Sequence, residues 1–262
     1  MGGRLLDKLR LTITQMDKTR TFTPAYLTRP NNEFGHYFDP SSRCQIIVAR
    51  PAEHPRLWAD YLQGARVSYR RHGVENVLDY DTVVDGDSTT LFLAAVDMQG
   101  KVVGGMRAQG PYRLSSQAHA LDEWAGRAGS EQLRREIALR IPAGIIEMKT
   151  GWVADEVDRR SALTAALARF FIHSLTLLNA RYAMCTVAAH ALKQWQSTGG
   201  VVSDRVAAVA YPDERYQTRL MLWDKQTYAG LAAAEQLPML MDEAAQLSAH
   251  GAQTPVLSPL AA

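Results

Sequence analysis

The sequence predicts a three-layer α/β domain, a mixed, mostly antiparallel twisted sheet flanked by helices. Three observations carry this. Leu91–Val96 and Val102–Arg107 are apolar runs joined by Asp97-Met-Gln-Gly100, a hairpin signal with glycine in the turn. Arg160–Leu178 is a strong helix with Leu163, Leu167, Phe170, Phe171, Ser174 and Leu178 on its inner face. That helix joins two apolar strands, Ile145–Val153 and Tyr182–Val187, and so makes a crossover in the second half of the sheet.

The remaining elements follow in order. Residues 1–43 are polar and irregular, with Pro24, Pro30 and Pro40, and read as an N-terminal arm. Within it Leu5, Leu6, Leu9 and Ile13 with Arg4, Lys8 and Arg10 give a short amphipathic helix. Packing on the body or a partner is the favoured reading; peripheral membrane contact through residues 1–18 is the rival. Gln45–Val48 is a short strand. Glu53–Tyr69 is a helix, because Leu57, Tyr61, Leu62, Ala65 and Tyr69 share one face. Residues 111–140 read as a helix and loops covering one edge. Ala188–Ser197 is a short helix stopped by Gly199-Gly200. Val201–Ala210 and Tyr216–Trp223 are a last pair of strands. The domain spans 44–228, and 229–262 is a C-terminal helix and a tail, frayed from 245 by its Ala, Ser, Pro and Gly content.

Bulk properties exclude several classes. A 262-residue chain that is 47% hydrophobic and 21% charged is an ordinary globular protein. A net charge of +2 gives no electrostatic case for a nucleic-acid partner. No apolar run approaches the ~20 residues that span a bilayer. The first residues carry no signal-peptide core, and Cys44 and Cys185 make no disulfide framework, so the expected setting is reducing and cytoplasmic. Cys185 sits in an apolar strand and reads as a buried thiol, without a histidine partner that would make it a nucleophile. His72, His119 and His173 show no ligand spacing, so no metal is expected.

The chemistry-bearing signal is charge on and between core strands. Asp85 precedes one strand, Arg107 ends the next, and Glu147 lies inside Ile-Pro-Ala-Gly-Ile-Ile-Glu-Met-Lys-Thr-Gly-Trp-Val. A desolvated charge costs several kcal/mol unless it is paired. Asp85 and Arg107 are therefore either an ion pair fixing the hairpin or part of a site. Glu147, with apolar flanks on both sides, favours function.

These residues and their order carry a resemblance. The stretch from Asp81-Thr-Val-Val-Asp85 through Gly-Lys-Val-Val-Gly-Gly-Met-Arg107, then Glu147, Ala191-Leu-Lys-Gln-Trp-Gln-Ser-Thr-Gly199 and Asp213-Glu-Arg-Tyr-Gln-Thr-Arg-Leu-Met-Leu, resembles acyl-homoserine lactone synthases and long-chain N-acyl amino acid synthases. Those enzymes form a branch of the GCN5-related N-acyltransferase (GNAT) fold, and the likeness covers roughly residues 45–225. The chain departs from the lactone synthases at three points. Gly73-Val-Glu-Asn stands where they have tryptophan, Thr150 beside Lys149 stands where they have arginine, and Arg66 with Tyr69 matches their first helix only approximately. The N-acyl amino acid synthase branch is the better match.

The resemblance implies transfer of a fatty acyl group from an acyl carrier protein thioester to the amine of an amino acid or related small molecule. Glu147 is the expected base, directly or through a water. Asp85, Arg107, Arg66, Tyr69, Lys149 and Trp152 are expected to bind the substrates. Backbone N–H groups where the Glu147 strand parts from Tyr182–Val187 are expected to polarise the carbonyl. The loop Ala154-Asp-Glu-Val-Asp-Arg-Arg-Ser161 lacks glycine and holds three acidic residues, which disfavours a coenzyme A pyrophosphate. It fits a carrier-protein donor, with Arg159, Arg160 and Arg169 as its contacts or as a solvated helix face. The co-substrate is thus acyl carrier protein or acyl-coenzyme A, with no tightly bound cofactor. A coenzyme A-dependent acetyltransferase and a non-catalytic acyl-binding module of the same fold are the rival readings.

Overall fold

The computed structural model describes residues 34–251. The amphipathic segment within residues 1–18 and the tail from 252 lie outside the described residues. The elements are β1 (His36–Asp39), β2 (Cys44–Ala49), α1 (Pro55–Arg71), α2 (Tyr80–Val83), β3 (Leu91–Val96), β4 (Val102–Gln109), α3 (Ala120–Glu123), α4 (Ser130–Ala138), β5 (Ile145–Val153), α5 (Arg160–Leu177), β6 (Tyr182–Ala188), α6 (Leu192–Gln196), β7 (Val201–Val202), β8 (Val209–Ala210), β9 (Gln217–Asp224), α7 (Tyr228–Leu231) and α8 (Gln236–Gly251).

The sheet order is β1-β2-β3-β4-β5-β6-β9-β7, with β8 also paired to β9. The β5–β6 pair is parallel and the others antiparallel. A parallel pair needs a crossover, and α5 supplies it. Alternation along the strands divides their side chains between two faces. Ile46, Val48, Leu93, Ile146, Met148 and Cys185 pack under α5. Ile47, Phe92 and Trp152 pack under α1 through Trp58, Tyr61 and Leu62. The 111–140 segment covers the rest of that second face, setting Tyr112, Trp124, Leu133 and Ile137 on Ile145, Met184 and Leu220. Each buried Leu- or Phe-sized side chain contributes about 1.5–3 kcal/mol.

One element escapes the sequence reading, and one runs further than expected. The segment read as an irregular arm contains β1, which pairs with β2 from His36↔Ile47 to Asp39↔Cys44. The segment read as frayed from 245 stays helical to Gly251, and Leu240 and Leu247 of α8 enter the core. Both are held by one buried polar cluster. Arg169 of α5 bonds Asp39 of β1 at 3.1 Å, Glu243 of α8 at 2.7 Å and Gln236 at 3.1 Å. His173 meets Glu243 at 2.7 Å. Arg169 is therefore no carrier-protein contact: it is 1% exposed and fully engaged inside the fold. The single strand expected over Val201–Ala210 is two short ones, β7 and β8, separated by a loop.

Candidate active site

β5 and β6 pair over only three positions, Ile145↔Tyr182, Ile146↔Ala183 and Glu147↔Met184, and then part. This is the splay expected between those strands. On its other side β5 carries a bulge, since Gly105 faces Trp152 and Arg107 faces Lys149, leaving Thr150 and Gly151 opposite Met106 alone. Thr150 takes φ +53°, the left-handed region that a β-branched residue rarely enters. Two hydrogen bonds fix it there: Tyr61 donates to its carbonyl at 2.7 Å, and Arg107 Nε donates to its hydroxyl at 3.1 Å.

The parted strands frame a cavity of about 460 Å³ that reaches both faces of the sheet. Toward α5 it is walled by Met106, Met148, Leu167, Phe171, Cys185 and Trp195. Toward α1 it is walled by Tyr69, His72, Glu123, Lys149, Tyr211 and Tyr216. Gly151 lies at the crossing, where a Cβ would come within 2.9 Å of Met106 Cε. Trp152 borders this cavity and a second one of about 410 Å³ beside α1.

A polar cluster stands on the α1 side of the slot. Glu147 is fully buried, with both oxygens occupied. Its Oε2 accepts from the Tyr112 hydroxyl at 2.7 Å and the His119 N–H at 3.0 Å; its Oε1 accepts from the Ala120 N–H at 3.1 Å and Lys149 at 3.4 Å. It is also absent from the cavity wall. The expectation that Glu147 is the base therefore gives way to a positioning role: it anchors the start of α3 and the Lys149 ammonium. Lys149 Nζ reaches three acceptors, His119 Nδ1 at 2.7 Å, Glu123 Oε1 at 3.3 Å and Glu147 Oε1 at 3.4 Å, which accounts for its three protons.

Glu123 differs from Glu147 in one respect. Its Oε1 accepts from Thr186 at 3.0 Å and from Lys149, while its buried Oε2 has no partner although the residue lines the cavity. Burial pushes this carboxyl up, but the Lys149 charge, the Thr186 hydrogen bond and the nearby His119 ring outweigh it and hold Glu123 below its ordinary value. Glu123 is thus a desolvated carboxylate with one free oxygen. Burial and the adjacent Glu147 push the Tyr112 hydroxyl up, so it stays a donor. Burial pushes Tyr69 up to about 12 against the pull of Arg107. Ligand atoms of His119, Glu123 and Glu147 lie within 4.8 Å of one another, a cation-sized nest in which the Lys149 ammonium already bonds all three.

Arg107 is 2% exposed, is absent from the cavity wall and, among the described residues, bonds only neutral groups, the Thr150 and Thr89 hydroxyls, the latter at 3.2 Å. Among the described residues no carboxylate pairs with it. The proposed Asp85–Arg107 ion pair does not form: Asp85 is exposed in a turn and accepts from the Asp87 N–H at 3.0 Å. Arg66 likewise stands away from the cavity wall, bonded to Glu75 at 2.7 Å and stacked over Tyr80. Arg159 bonds the Ser41 carbonyl at 3.0 Å, and Arg160, at the cavity edge, pairs with Asp155. Burial pushes the Cys185 thiol up, which removes thiolate character.

Sequence reasoning missed His119, Glu123, Tyr112 and Thr186. The available signal was His119-Ala-Leu-Asp-Glu123, a histidine and a glutamate at i, i+4 inside a segment that otherwise reads as cover.

No family model matches the chain. The uncharacterized protein Rv1356c of Mycobacterium tuberculosis is 46% identical over 206 residues, covering 79% of this chain and 78% of its own length. Mb1391c of Mycobacterium bovis, also uncharacterized, matches to the same extent. The chain belongs to their family. Among solved structures, this family member is similar to FeeM, an N-acyl amino acid synthase from uncultured soil microbes, with TM-score 0.50, 11% identity, and 74% of this chain and 98% of that one covered. BjaI, a coenzyme A-dependent acyl-homoserine lactone synthase solved with SAM and isopentyl-CoA, gives TM-score 0.50, 13% identity, and coverage of 77% and 90%. At such identities the likeness establishes the fold alone: the chain has a GNAT-like fold. No helix among the described residues is long and apolar enough to cross a membrane.

Proposed function

We propose that this chain is an N-acyltransferase that moves an acyl group from a thioester to the amine of an amino acid. The observation that carries this is one cavity passing between β5 and β6, walled by apolar side chains under α5 and, under α1, by Glu123, whose Oε2 has no hydrogen-bond partner. The acyl chain lies against Met106, Met148, Phe171 and Trp195, and the thioester carbonyl lies in the slot beside the bulged backbone of β5. Glu123 Oε2 takes a proton from the acceptor ammonium, and the neutral amine attacks the carbonyl carbon. The tetrahedral intermediate collapses with loss of thiolate, which carries off the second N–H proton. General-base help of this kind contributes about 10²–10⁴-fold.

The likeness to an N-acyl amino acid synthase supports an amino-acid acceptor. The donor is an acylated carrier protein, because the glycine-free loop before α5 carries Asp155 and Glu156 where a pyrophosphate would need N–H groups and positive charge. Arg159 and Arg160 flank that entrance. Such a donor and two reduced cysteines fit a cytoplasmic enzyme.

The test is to incubate the protein with acyl carrier protein or coenzyme A charged with C8–C18 chains and a pool of amino acids, and to read products by mass spectrometry. An N-acyl amino acid that disappears with Glu123→Gln supports the reading and names the acceptor. Loss with Glu147→Gln but not with Glu123→Gln returns the base to Glu147. Acyl binding without product favours a binding module.

A further inference from the structure

We infer that His119 carries the acceptor's proton from Glu123 to solvent. This rests on Glu123 being the base proposed above. Each transfer from an ammonium acceptor and a thioester gives an amide, a thiol and one proton, and that proton must leave a carboxylate only 3% exposed. The two oxygens of Glu123 face different ways. Oε2 has no protein partner and takes the proton; Oε1 faces Lys149 at 3.3 Å, Thr186 at 3.0 Å and His119 Nδ1 at 3.4 Å. The His119 side chain is 25% exposed, against 2% for Glu123 and 11% for Lys149, so its ring is the nearest member of the cluster to water.

The steps balance. In the resting site Lys149 donates to His119 Nδ1 at 2.7 Å, so the ring proton sits on Nε2. When Glu123 is protonated it no longer holds the ammonium, and Lys149 passes a proton to Nδ1. A half-turn of the carboxyl brings its acidic proton to Lys149, restoring both Glu123 and the ammonium. The imidazolium gives its Nε2 proton to solvent, and exchange through solvent returns the ring to its resting tautomer.

The charges around the ring favour this route. Lys149 and Glu147 face it from β5, and Glu123 from its own helix. Tyr112, which donates to Glu147, and Tyr211, pushed up by burial and by Glu123, stay neutral. Two carboxylates and one ammonium leave a net negative nest, which an imidazolium brings to neutrality. The ring is not what anchors α3: the Glu147 contact runs through the His119 backbone N–H, so removing the side chain leaves the anchor in place.

The experiment compares wild type, His119→Ala and His119→Gln at saturating donor and acceptor. The expected result is a fall in kcat of about 100-fold in both variants, the low end of general acid–base contributions, with acceptor KM changed less than about threefold. Added imidazole restores turnover to His119→Ala and less to the bulkier His119→Gln. A merely structural ring gives no rescue. Wild-type kcat and an unchanged pH profile in His119→Ala, with wild type active, overturn the relay alone. Absence of turnover in wild type overturns the acyltransferase reading and the relay with it.

Discussion

Two buried polar clusters sit on opposite faces of the same sheet, and they contain the same set of charges. Under α5 and α8, Arg169 meets Asp39, Glu243 and His173. Under α1 and α3, Lys149 meets Glu123, Glu147 and His119. Each has one lysine or arginine, two carboxylates and one histidine. In the first every carboxylate oxygen is engaged: Asp39 by Arg169 and the Ser42 N–H, Glu243 by Arg169 and His173. In the second, Glu123 keeps one oxygen without a partner at the wall of a cavity. Buried charge alone therefore does not mark an active site. A buried oxygen without a partner, on a residue that lines a cavity, is what sets Glu123 apart, because an unpaired buried polar atom is costly.

The largest expected effects separate the clusters by what they change. Glu123→Gln should lower kcat by about 10²–10⁴-fold, with a smaller loss of stability than at Glu243, because the amide oxygen still accepts from Lys149 and Thr186 and Glu147 still faces the Lys149 ammonium. Glu243→Gln should do the reverse. It strips a buried counter-charge from Arg169 and should cost about 3–5 kcal/mol in denaturant unfolding, while activity per folded molecule stays near wild type. An activity loss at Glu243 matching that at Glu123 would erase the distinction.

Glu147→Gln should fall between them. Its amide N–H₂ must face a backbone N–H or the Lys149 ammonium, leaving one donor unmet at about 1–3 kcal/mol. Turnover should drop because Lys149 and α3 lose their anchor. The diagnostic is that acceptor KM and kcat both worsen, whereas Glu123→Gln chiefly lowers kcat. Titration sharpens the same contrast. The folded-state value of Glu123 lies below its unfolded one, so its stabilising contribution is complete above the unfolded value of ~4.3 and is lost as pH falls through the folded value. Unfolding free energies of wild type and Glu123→Gln should therefore converge as pH is lowered from about 6 to about 3.

The two clusters also show what was legible in the chain. The continuous apolar run of β3, the apolar flanks of β5, the patterned α1 and the long apolar α5, buried nearly all round, read off directly. β1 did not: four residues with only Tyr37 and Asp39 inward give no pattern, and one inward residue is charged. Arg169 looked like a solvated helix position because α8, which covers it, lies some seventy residues away in sequence. At the site, Glu147 and Lys149 stood out as charges within a strand. Glu123 did not, since its environment is assembled from β5, β6 and its own helix, and an Asp-Glu pair in a polar stretch looks solvated until the sheet closes under it. Residue type marked where charge was unusual; only the assembled contacts marked which carboxylate was left open.

The smallest effect tests whether the slot contains any chemistry beyond that carboxylate. Cys185 lies on the apolar side of the gap, one residue before Thr186, which holds Glu123. A thiol there would suit a two-step route in which the acyl group first forms a thioester with the enzyme. The environment opposes it: burial, together with the fields of Glu123 and Glu147, pushes the thiol up, and the charge of Lys149 only partly offsets them. Direct attack of the amine on the bound donor needs no such intermediate. Cys185→Ala should therefore keep kcat within about twofold of wild type and cost roughly 1 kcal/mol of stability, as an ordinary core truncation does. Initial-rate plots with both substrates varied should give intersecting rather than parallel lines. Parallel lines, or a covalent acyl adduct on Cys185 seen by mass spectrometry, would move the nucleophile from the substrate to the protein and reduce Glu123 to a bystander of the second step.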